Sequence, residues 1–422
     1  MFRIEQHRKR AATSRIEQLS LPPQVFIPLS QHIGKICSPV VKVGDVVTTG
    51  SLIGKVESHV WAPVHASIAG RVSGIQEWPH PLIGRSKAVV IDNDGSDKKE
   101  YSGRDDSQIN SLTPQKIRDI VFSAGITGMG GAGFPTHIKL NPPKPLDTLI
   151  LNGAECEPEL SADYRLMIEK TDEILKGAEL IAKAAGAKNV YIAIEDNKPE
   201  AIAQFQKRAS WFTVKILPSA YPQGGERQLI KSILGREVPS GKLPFEVAVL
   251  VQNVATVFAV YEAVYLGKPL YERVVTVTGG CISHPKNLLV RIGTPIKELI
   301  SFCGELKEEP AKIILGGPMM GIAQYTTDVP ITKTTSGVLL LNKKESVIEE
   351  EEFCIRCGAC IRSCPAGLMP CLINLASEKA MWSAARAYNA LDCIECGLCN
   401  YVCPAKRRLT QSIKRAKLEV SK

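Results

Sequence analysis

Eight of the chain's thirteen cysteines form two copies of one pattern near its C-terminus. Each copy has three cysteines separated by two residues, then a fourth cysteine three residues further on, followed by proline. The copies run from Cys354 to Pro365 and from Cys393 to Pro404 with the same spacing. Three thiolates this close together suit three corners of a [4Fe–4S] cubane. The sequence therefore predicts two such clusters, and with them chemistry that moves single electrons.

Zinc and disulfides are the alternative explanations for these cysteines. Zinc sites usually combine two Cys-x2-Cys pairs across a longer loop, which fits the pattern less well. Cysteines so close in sequence bridge poorly, and a chain of 422 residues without a secretory signal has no need of disulfides. We interpret Cys371, which lies outside the pattern, as a buried apolar residue or a bystander.

The two runs resemble those of bacterial two-cluster ferredoxins, in which the fourth cysteine of each run ligates the cluster of the other run. That resemblance implies crossed ligand sets. The first cluster would be bound by Cys354, Cys357, Cys360 and Cys403, and the second by Cys393, Cys396, Cys399 and Cys364.

Composition narrows the class of protein. The net charge of +9 is modest for this length and too dispersed to favour nucleic-acid binding. Residues 401–422 carry seven Lys or Arg and one Glu, which indicates either a solvated helix end or docking to acidic partners or anionic lipid headgroups. No stretch reaches the ~20 apolar residues of a transmembrane helix, and the N-terminus lacks the apolar core of a signal peptide. Together with unpaired cysteines, this predicts a reducing cytoplasm.

The pattern of strands, helices and turns predicts a multidomain α/β and α+β protein. Residues 1–110 form short strands and a linker, in which 41–47 and 62–72 resemble the halves of a lipoyl-type barrel-sandwich domain. The expected hairpin tip, 58–61, has no lysine, so we predict a structural or docking domain instead of a carrier arm. The other predicted segments are an α/β domain (111–270), a small β-grasp-like domain (271–325), a linker (326–351) and a helical two-cluster domain with a basic tail (352–422).

Within the α/β segment, apolar runs at 147–152 and 190–195 predict buried strands, and 174–181 has the spacing of an amphipathic helix. Ligands of such sheets bind beyond the C-terminal ends of the strands. A glycine-rich segment, 128–136, has four glycines in six positions and can point backbone N–H groups at an anion. It matches neither a Walker A loop nor the dinucleotide fingerprint G-x-G-x-x-G.

Four ordered motifs give this segment more meaning: Gly-Gly-Ala-Gly-Phe-Pro at 130–135, Asn-Gly-Ala-Glu-Cys-Glu-Pro at 152–158, Tyr-Pro-Gln-Gly-Gly-Glu at 221–226 and Asn-Val-Ala-Thr at 253–256. Together they resemble the flavin- and NADH-binding subunit of respiratory complex I. With the N-terminal barrel-sandwich and the two-cluster tail added, the whole chain resembles the RnfC family, the NADH-side subunits of the Rnf ion-translocating electron-transport complex.

The resemblance implies an NADH-linked flavin and iron–sulfur oxidoreductase subunit that contains FMN and two [4Fe–4S] clusters and binds NAD(H). It also implies integral membrane partner subunits, ferredoxin reached through a partner, and a peripheral position on the inner face of the cell membrane. Hydride transfer to a flavin is direct, so no catalytic acid or base is assigned. By resemblance, FMN would be held by Gly128, Gly130, Gly131, Gly133, Lys139, Asn152, Glu155, Tyr221, Gly224 and Asn253, and the nicotinamide nucleotide by Phe134, Glu157, Lys242 and Phe245.

The chain departs from these families at three places. Met129 and Ala154 stand where the complex I subunit has arginine and aspartate. The segment from Arg3 to His7 replaces the Gly-Gly-x-His-Pro start that is usual in RnfC proteins. These departures leave two alternatives open: a soluble RnfC-like reductase serving another acceptor, such as a cobalamin or amino-acid reductase, and a wiring subunit without nucleotide binding.

Overall fold

The computed structural model describes residues 9–347 and 349–422. The segment from Arg3 to His7 lies outside the described residues. In chain order, the strands are β1 (Ile16–Gln18), β2 (Gln24–Pro28), β3 (Ser38–Pro39), β4 (Val46–Val47), β5 (Leu52–Lys55), β6 (Val64–His65), β7 (Gly70–His80), β8 (Gly84–Asn93), β9 (Thr148–Gly153), β10 (Asn189–Glu195), β11 (Thr213–Leu217), β12 (Val249–Asn253), β13 (Glu272–Thr278), β14 (Lys286–Arg291), β15 (Lys312–Leu315), β16 (Ile322–Gln324) and β17 (Gly337–Leu341).

The helices are α1 (Asp106–Asn110), α2 (Pro114–Ser123), α3 (Thr136–Lys139), α4 (Ala162–Glu169), α5 (Thr171–Ala185), α6 (Pro199–Arg208), α7 (Glu226–Leu234), α8 (Val254–Tyr265), α9 (Ile296–Phe302), α10 (Ala359–Ser363), α11 (Pro370–Glu378), α12 (Trp382–Ala387), α13 (Leu398–Tyr401) and α14 (Leu409–Val420). Two 3-10 helices cover Pro244–Val247 and Ala390–Asp392. Among the described residues, no helix combines the length and the apolar character needed to cross a membrane.

The central sheet is parallel, with strand order β11-β10-β9-β12. The two predicted strands are β9 and β10, and the predicted amphipathic helix is α5, so these predictions are confirmed. Helices α5 and α8 pack against each other and bury their apolar residues in the main core. Parallel strands covered in this way are buried on both faces, which explains why β9 and β12 are runs of apolar residues.

The N-terminal region forms two small antiparallel sheets, β2-β8-β7-β4 and β3-β5-β6. The strands β4 and β6 lie in the two segments that resemble the halves of a barrel-sandwich. Lys55 ends strand β5, opposite Ser38, and so lies outside the 58–61 segment.

The sheet of the 271–325 region extends beyond the segment that the sequence predicted. Its order is β1-β14-β13-β17-β15-β16, so it recruits β1 from the N-terminal segment and β17 from the predicted linker 326–351. Residues 337–341 read Gly-Val-Leu-Leu-Leu, and four of them are buried between β13 and β15. An apolar run of this kind is stable only when neighbouring strands cover it, which the interpretation as a linker overlooked.

Candidate functional site

The most distinctive edge of the molecule is the carboxyl end of the central sheet, at strands β9 and β12. Strand order runs outward from β9 through β10 to β11, and then returns to β12 on the other side of β9. Asn152 at the end of β9 lies opposite Asn253 at the end of β12. In open α/β sheets, ligands bind in the crevice at this kind of topological switch point. Two residues that the sequence assigned to the flavin therefore flank this crevice.

The glycine-rich loop closes onto the same crevice. A Cβ on Gly130 would lie 3.2 Å from the Cβ of Asn253, which is tighter than most real contacts. The backbone N–H of Met129 donates to the Thr256 hydroxyl at 2.9 Å, and Asn253 caps α8 by accepting from the backbone N–H of Ala255 and Thr256. The loop thus lies at the positive end of a 12-residue helix, where a phosphate is favoured.

The motif at 152–158 forms the opposite wall together with Gly224. The Asn152 amide donates to the Gly224 carbonyl at 2.9 Å, and a Cβ on Gly224 would lie 2.4 Å from the carbonyl oxygen of Ala154. Only glycine fits there. The Glu155 carboxylate accepts from the backbone N–H of Asp163 at 3.0 Å, at the start of α4.

Asp163 also belongs to this site. Its carboxylate accepts from the Asn253 amide at 2.7 Å. Burial, with the Glu155 charge as a second cause, raises the pKa of the Asp163 carboxyl to about 7. No motif marks this residue in the sequence, because it lies in an ordinary first turn of a helix and reaches the crevice only through the fold.

The groups around the crevice fit a flavin. Buried polar atoms in and beside the flavin motifs have no hydrogen-bond partner within the described residues: both ends of the Gln223 amide, Nε2 of Gln252 and the hydroxyl of Thr127. Buried polar groups normally find partners, so this set is suited to a ligand with donors and acceptors along its edge. The glycine backbone and the start of α8 supply the complementary place for a phosphate.

Other residues assigned from the sequence make protein contacts of their own. Lys139 forms an ion pair with Glu226 at 2.6 Å, and the Phe134 carbonyl accepts from the N–H of Gly128 at 2.8 Å, which closes the loop. Lys242 is exposed, and Phe245 packs against the main core from the 3-10 helix. The structure does not bring these last two residues into the crevice.

Glu157 points away toward the sheet of the 271–325 region. Its carboxylate accepts from the backbone N–H of Met319 at 3.2 Å and of Met320 at 2.7 Å. Burial raises the pKa of this carboxyl to about 7. In the conformation described, Glu157 therefore joins two regions of the fold.

A cavity of about 570 Å³ adjoins the crevice on the β10 side. Its size is typical of ligand pockets. Glu155 and Tyr221 from the flavin motifs line it, together with Lys9, Glu195 and Lys198. Lys198 and Glu195 form a fully buried ion pair, and the Lys9 ammonium donates to the Glu155 carbonyl at 2.6 Å. The sequence placed a ligand beyond Glu195 from the strand pattern, and the cavity lies there.

Cys156, in the 152–158 motif, is one of this cavity's lining residues. Its sulfur accepts from the backbone N–H of Gly224 at 3.3 Å. Burial raises the pKa of the thiol to about 12, so a reactive thiolate is disfavoured.

The second cysteine run meets the fourth cysteine of the first run. Cys364, Cys393, Cys396 and Cys399 line one small cavity between their two loops. No three His, Cys, Asp or Glu side chains in the described part of the chain are placed to share a single metal ion, and these cysteines instead surround a common space. The arrangement fits the crossed ligand set inferred for the second cluster.

The first run lies near the fourth cysteine of the second run, and its own cysteines are more exposed than those of the second run. Cys360 interacts with Cys403, the fourth cysteine of the second run. Cys354 and Cys357 are exposed, and Phe353 beside them is 93% exposed. Cys371 is an electrostatic neighbour of Cys360, so it lies near the first run although it is outside the pattern. All thirteen cysteines are unpaired.

The second run also contacts the wall of the crevice. The hydroxyl of Tyr221, which is 2% exposed, donates to the Cys396 carbonyl at 2.7 Å. Tyr221, Cys396 and Leu398 form a small apolar core with Met319 against it. Asp392, just before the run, accepts from the Gly241 N–H at 3.4 Å and lies 3.7 Å from Arg227. Of the two runs, this one is held against the α/β domain.

Four family models match consecutive parts of the chain. They are described as the RnfC barrel sandwich hybrid domain (residues 2–96), the Nuo51 FMN-binding domain (121–262), the SLBB domain (274–323) and a 4Fe-4S dicluster domain (346–404). These matches confirm the predicted fold class and the prediction of FMN and two [4Fe–4S] clusters as cofactors.

Relatives with assigned names match over nearly the whole chain. The C component of the proton-translocating ferredoxin:NAD(+) oxidoreductase complex of Clostridium ljungdahlii is 47% identical over 98% of this chain and 91% of its own length. The C component of the Na(+)-translocating ferredoxin:NAD(+) oxidoreductase complex of Acetobacterium woodii is 44% identical over 94% and 91%. Among solved structures, a chain of an NAD+-reducing [NiFe]-hydrogenase in the air-oxidized state has a TM-score of 0.49 and 18% identity, over 68% of this chain and 57% of that one.

Proposed function

This chain belongs to the RnfC family, and from that premise we propose which of its residues carry electrons between NAD(H) and its partner subunits. The chain is an oxidoreductase subunit of an ion-translocating ferredoxin:NAD+ oxidoreductase complex, with FMN and two [4Fe–4S] clusters. A hydride carries two electrons and a cubane accepts one, so a flavin is needed between nucleotide and clusters.

FMN would be held in the crevice between β9 and β12. The backbone of Gly128, Gly130, Gly131 and Gly133 would hold its phosphate at the start of α8, and Asn152, Glu155, Gly224 and Asn253 would hold its ring system. Asp163 orients the Asn253 amide through its 2.7 Å hydrogen bond. The adjoining cavity gives the nicotinamide nucleotide access to the flavin along Glu155 and Tyr221. Lys139, Glu157, Phe134, Lys242 and Phe245 keep their assigned roles as hypotheses based on resemblance.

The observation that carries the proposal is the contact between Tyr221 and Cys396. It joins a wall residue of the flavin crevice to a ligand of the second cluster, through a buried hydrogen bond of 2.7 Å and an apolar core that excludes water. Electron transfer needs short, fixed separations, and this contact supplies one. The second-run ligands therefore form the inner end of the electron path.

The first-run ligands form its outer end. Cys354 and Cys357 are exposed, whereas Cys396 is buried. Phe353 and Ile355 flank Cys354 with exposed apolar side chains, 93% and 66% exposed. Exposed apolar residues in a contiguous group indicate a protein-binding surface. We assign this surface to a redox partner subunit, with ferredoxin reached through that partner.

The position at the membrane is part of the same proposal. The basic residues of α14 and the loop before it include Arg408, Lys414 and Arg415, which suit an anionic lipid surface or an acidic subunit. We place the chain on the cytoplasmic face, docked to integral membrane subunits.

Cofactor content is the first test. Anaerobically purified protein should contain about eight irons, about eight acid-labile sulfides and one FMN per chain. Zinc in place of iron, or the absence of flavin after incubation with FMN, would refute the assignment. A flavin-loaded preparation that fails to reduce ferricyanide with NADH would support the wiring subunit instead.

The order of the clusters is tested by Cys357→Ala compared with Cys396→Ala. The first change should leave NADH able to reduce both the flavin and the remaining cluster, while delivery of electrons to the partner subunit is lost. The second should leave the flavin reducible but stop reduction of the remaining cluster. Rapid-mixing absorbance with NADH and EPR of frozen samples distinguish these results, and the reverse pattern would overturn the proposed order.

A further inference from the structure

The two cysteine runs belong to a longer internal repeat with an offset of 39 residues, the separation of Cys354 and Cys393. Left-handed backbone conformations recur at the same offset, in the pairs Arg356 and Glu395, Gly358 and Gly397, and Gly367 and Lys406. The helix after each run also repeats, since α11 begins at Pro370 and α14 at Leu409. The repeat thus continues past the cysteines into the helices that pack against them.

The second residue of each of these helices lies near the third cysteine of its own run. In the second run, the Thr410 hydroxyl lies 3.7 Å from the sulfur of Cys399. In the first run, Cys371 occupies the position equivalent to Thr410 and is an electrostatic neighbour of Cys360. Cys371 and Thr410 are therefore equivalent positions, each with a side-chain X–H group beside a cluster ligand.

We propose that Cys371 and Thr410 are potential-setting residues, each donating a side-chain hydrogen bond to the third cysteine ligand of its own run. The proposal rests on the function proposed above, because it requires both clusters. It treats Cys371 as a functional position, not as the bystander that its place outside the cysteine pattern suggested.

The physical reason lies in the charge of the cluster. A ligating thiolate has no proton, so the hydroxyl or thiol must be the donor in each contact. Hydrogen bonds to cluster sulfurs tune the reduction potential. They favour the reduced form, because that form carries one more negative charge. A thiol is a weak donor compared with a hydroxyl. Different residues at equivalent positions thus let the two clusters be tuned separately.

The test is an EPR-monitored redox titration of the full chain, purified anaerobically with its iron and sulfide counted first. Thr410→Val removes the hydroxyl at constant shape. We expect it to lower the reduced-to-oxidised ratio of one cluster about tenfold at a fixed potential, a shift of ~59 mV for one electron. The other cluster should keep its midpoint. Thr410→Ser, the matched control, should retain the wild-type value.

Variants of Cys371, the equivalent position in the first run, give an independent test in the same titration. Cys371→Thr should raise the midpoint of the cluster that Thr410→Val leaves unchanged, and Cys371→Ala should lower it. If Thr410→Val does not assemble its cluster, Thr410→Cys takes its place and should lower the same midpoint by a smaller amount.

Two outcomes would overturn the inference while leaving the proposed function intact. One is an unchanged pair of midpoints in Thr410→Val protein that holds about eight irons. The other is loss of about four irons from Cys371→Ala, which would make Cys371 a ligand and not a donor. A wild-type chain without two clusters would instead refute the proposed function, and the iron count detects this before any titration.

Discussion

Cys364 is the residue that best tests how the two cysteine runs share their clusters. It ends the first run in sequence, yet it lines one cavity with Cys393, Cys396 and Cys399 of the second run. Crossed ligation predicts that Cys364→Ala damages the cluster of the second run. Ligation within each run predicts damage to the first. Both schemes lose one cluster, so a single variant with an iron count cannot separate them.

Double variants do separate them, because each cluster holds four irons. If Cys364 and Cys393 bind the same cluster, Cys364→Ala with Cys393→Ala should retain the other cluster, about four irons per chain. Cys364→Ala with Cys354→Ala should then remove ligands from both clusters and leave close to none. Ligation within each run predicts the reverse assignment of these two counts.

The assay is anaerobic purification with iron, sulfide and protein determined on the same sample. EPR after reduction counts the remaining cluster and detects three-iron forms produced by partial loss of ligands. The two double variants serve as controls for each other, since each removes two cysteines from the same small domain. About four irons in the Cys354 double variant, together with none in the Cys393 double variant, would refute the crossed arrangement.

Three further predictions concern the flavin domain and its contacts. Gly224→Ala should reduce FMN content with iron unchanged, because its Cβ would lie 2.4 Å from the carbonyl oxygen of Ala154; equal flavin content would show that the wall can move. Tyr221→Phe should cost about 1 kcal/mol of docking and slow cluster reduction by NADH with cofactor content intact, since it removes the bond to the Cys396 carbonyl. Burial lowers the pKa of Lys333 to about 7. Between pH 7 and ~10 the unfolded chain therefore binds a proton that the folded chain does not, and stability should rise with pH. Lys333→Met should flatten that rise in thermal unfolding, and an unchanged slope would contradict the assignment.

The sequence predicted the parts of the fold that local patterns specify. Strand β9 and helix α5 follow from a continuous apolar run and from helical spacing, because a strand buried on both faces and an amphipathic helix have different periods. The clusters follow from cysteine spacing alone, and the flavin crevice from motifs that lie at strand ends.

Contacts between segments far apart in the sequence could not be predicted from these local patterns. Strand β1 has only three residues and pairs with β14, about 270 positions away, so nothing near Ile16 indicates its partner. The hydrogen bond from Tyr221 to Cys396 likewise joins residues 175 positions apart. Such contacts depend on how folded segments pack against each other, and the local periodicity of the sequence does not indicate that packing.

The loss of two charges from the flavin motifs also has an explanation in the fold. Met129 and Ala154 are both buried, so neither position directs a side chain toward solvent. A guanidinium from another element lies at the crevice. It belongs to Arg273 on β13, which donates to the Met129 carbonyl at 3.4 Å. Burial lowers the pKa of Arg273 to about 10, which still leaves it charged at neutral pH.

A carboxyl group at the crevice comes from α4. Asp163 accepts a hydrogen bond from the Asn253 amide and interacts electrostatically with Arg273. The crevice thus has one cationic and one acidic group, supplied by elements outside the four motifs. Because Arg273 belongs to the sheet of the 271–325 region, the charge at the crevice depends on that sheet packing against the α/β domain. If FMN binds in this crevice as proposed, we expect its binding to depend on the docking of that neighbouring sheet, a dependence that the residues at Met129 and Ala154 do not indicate.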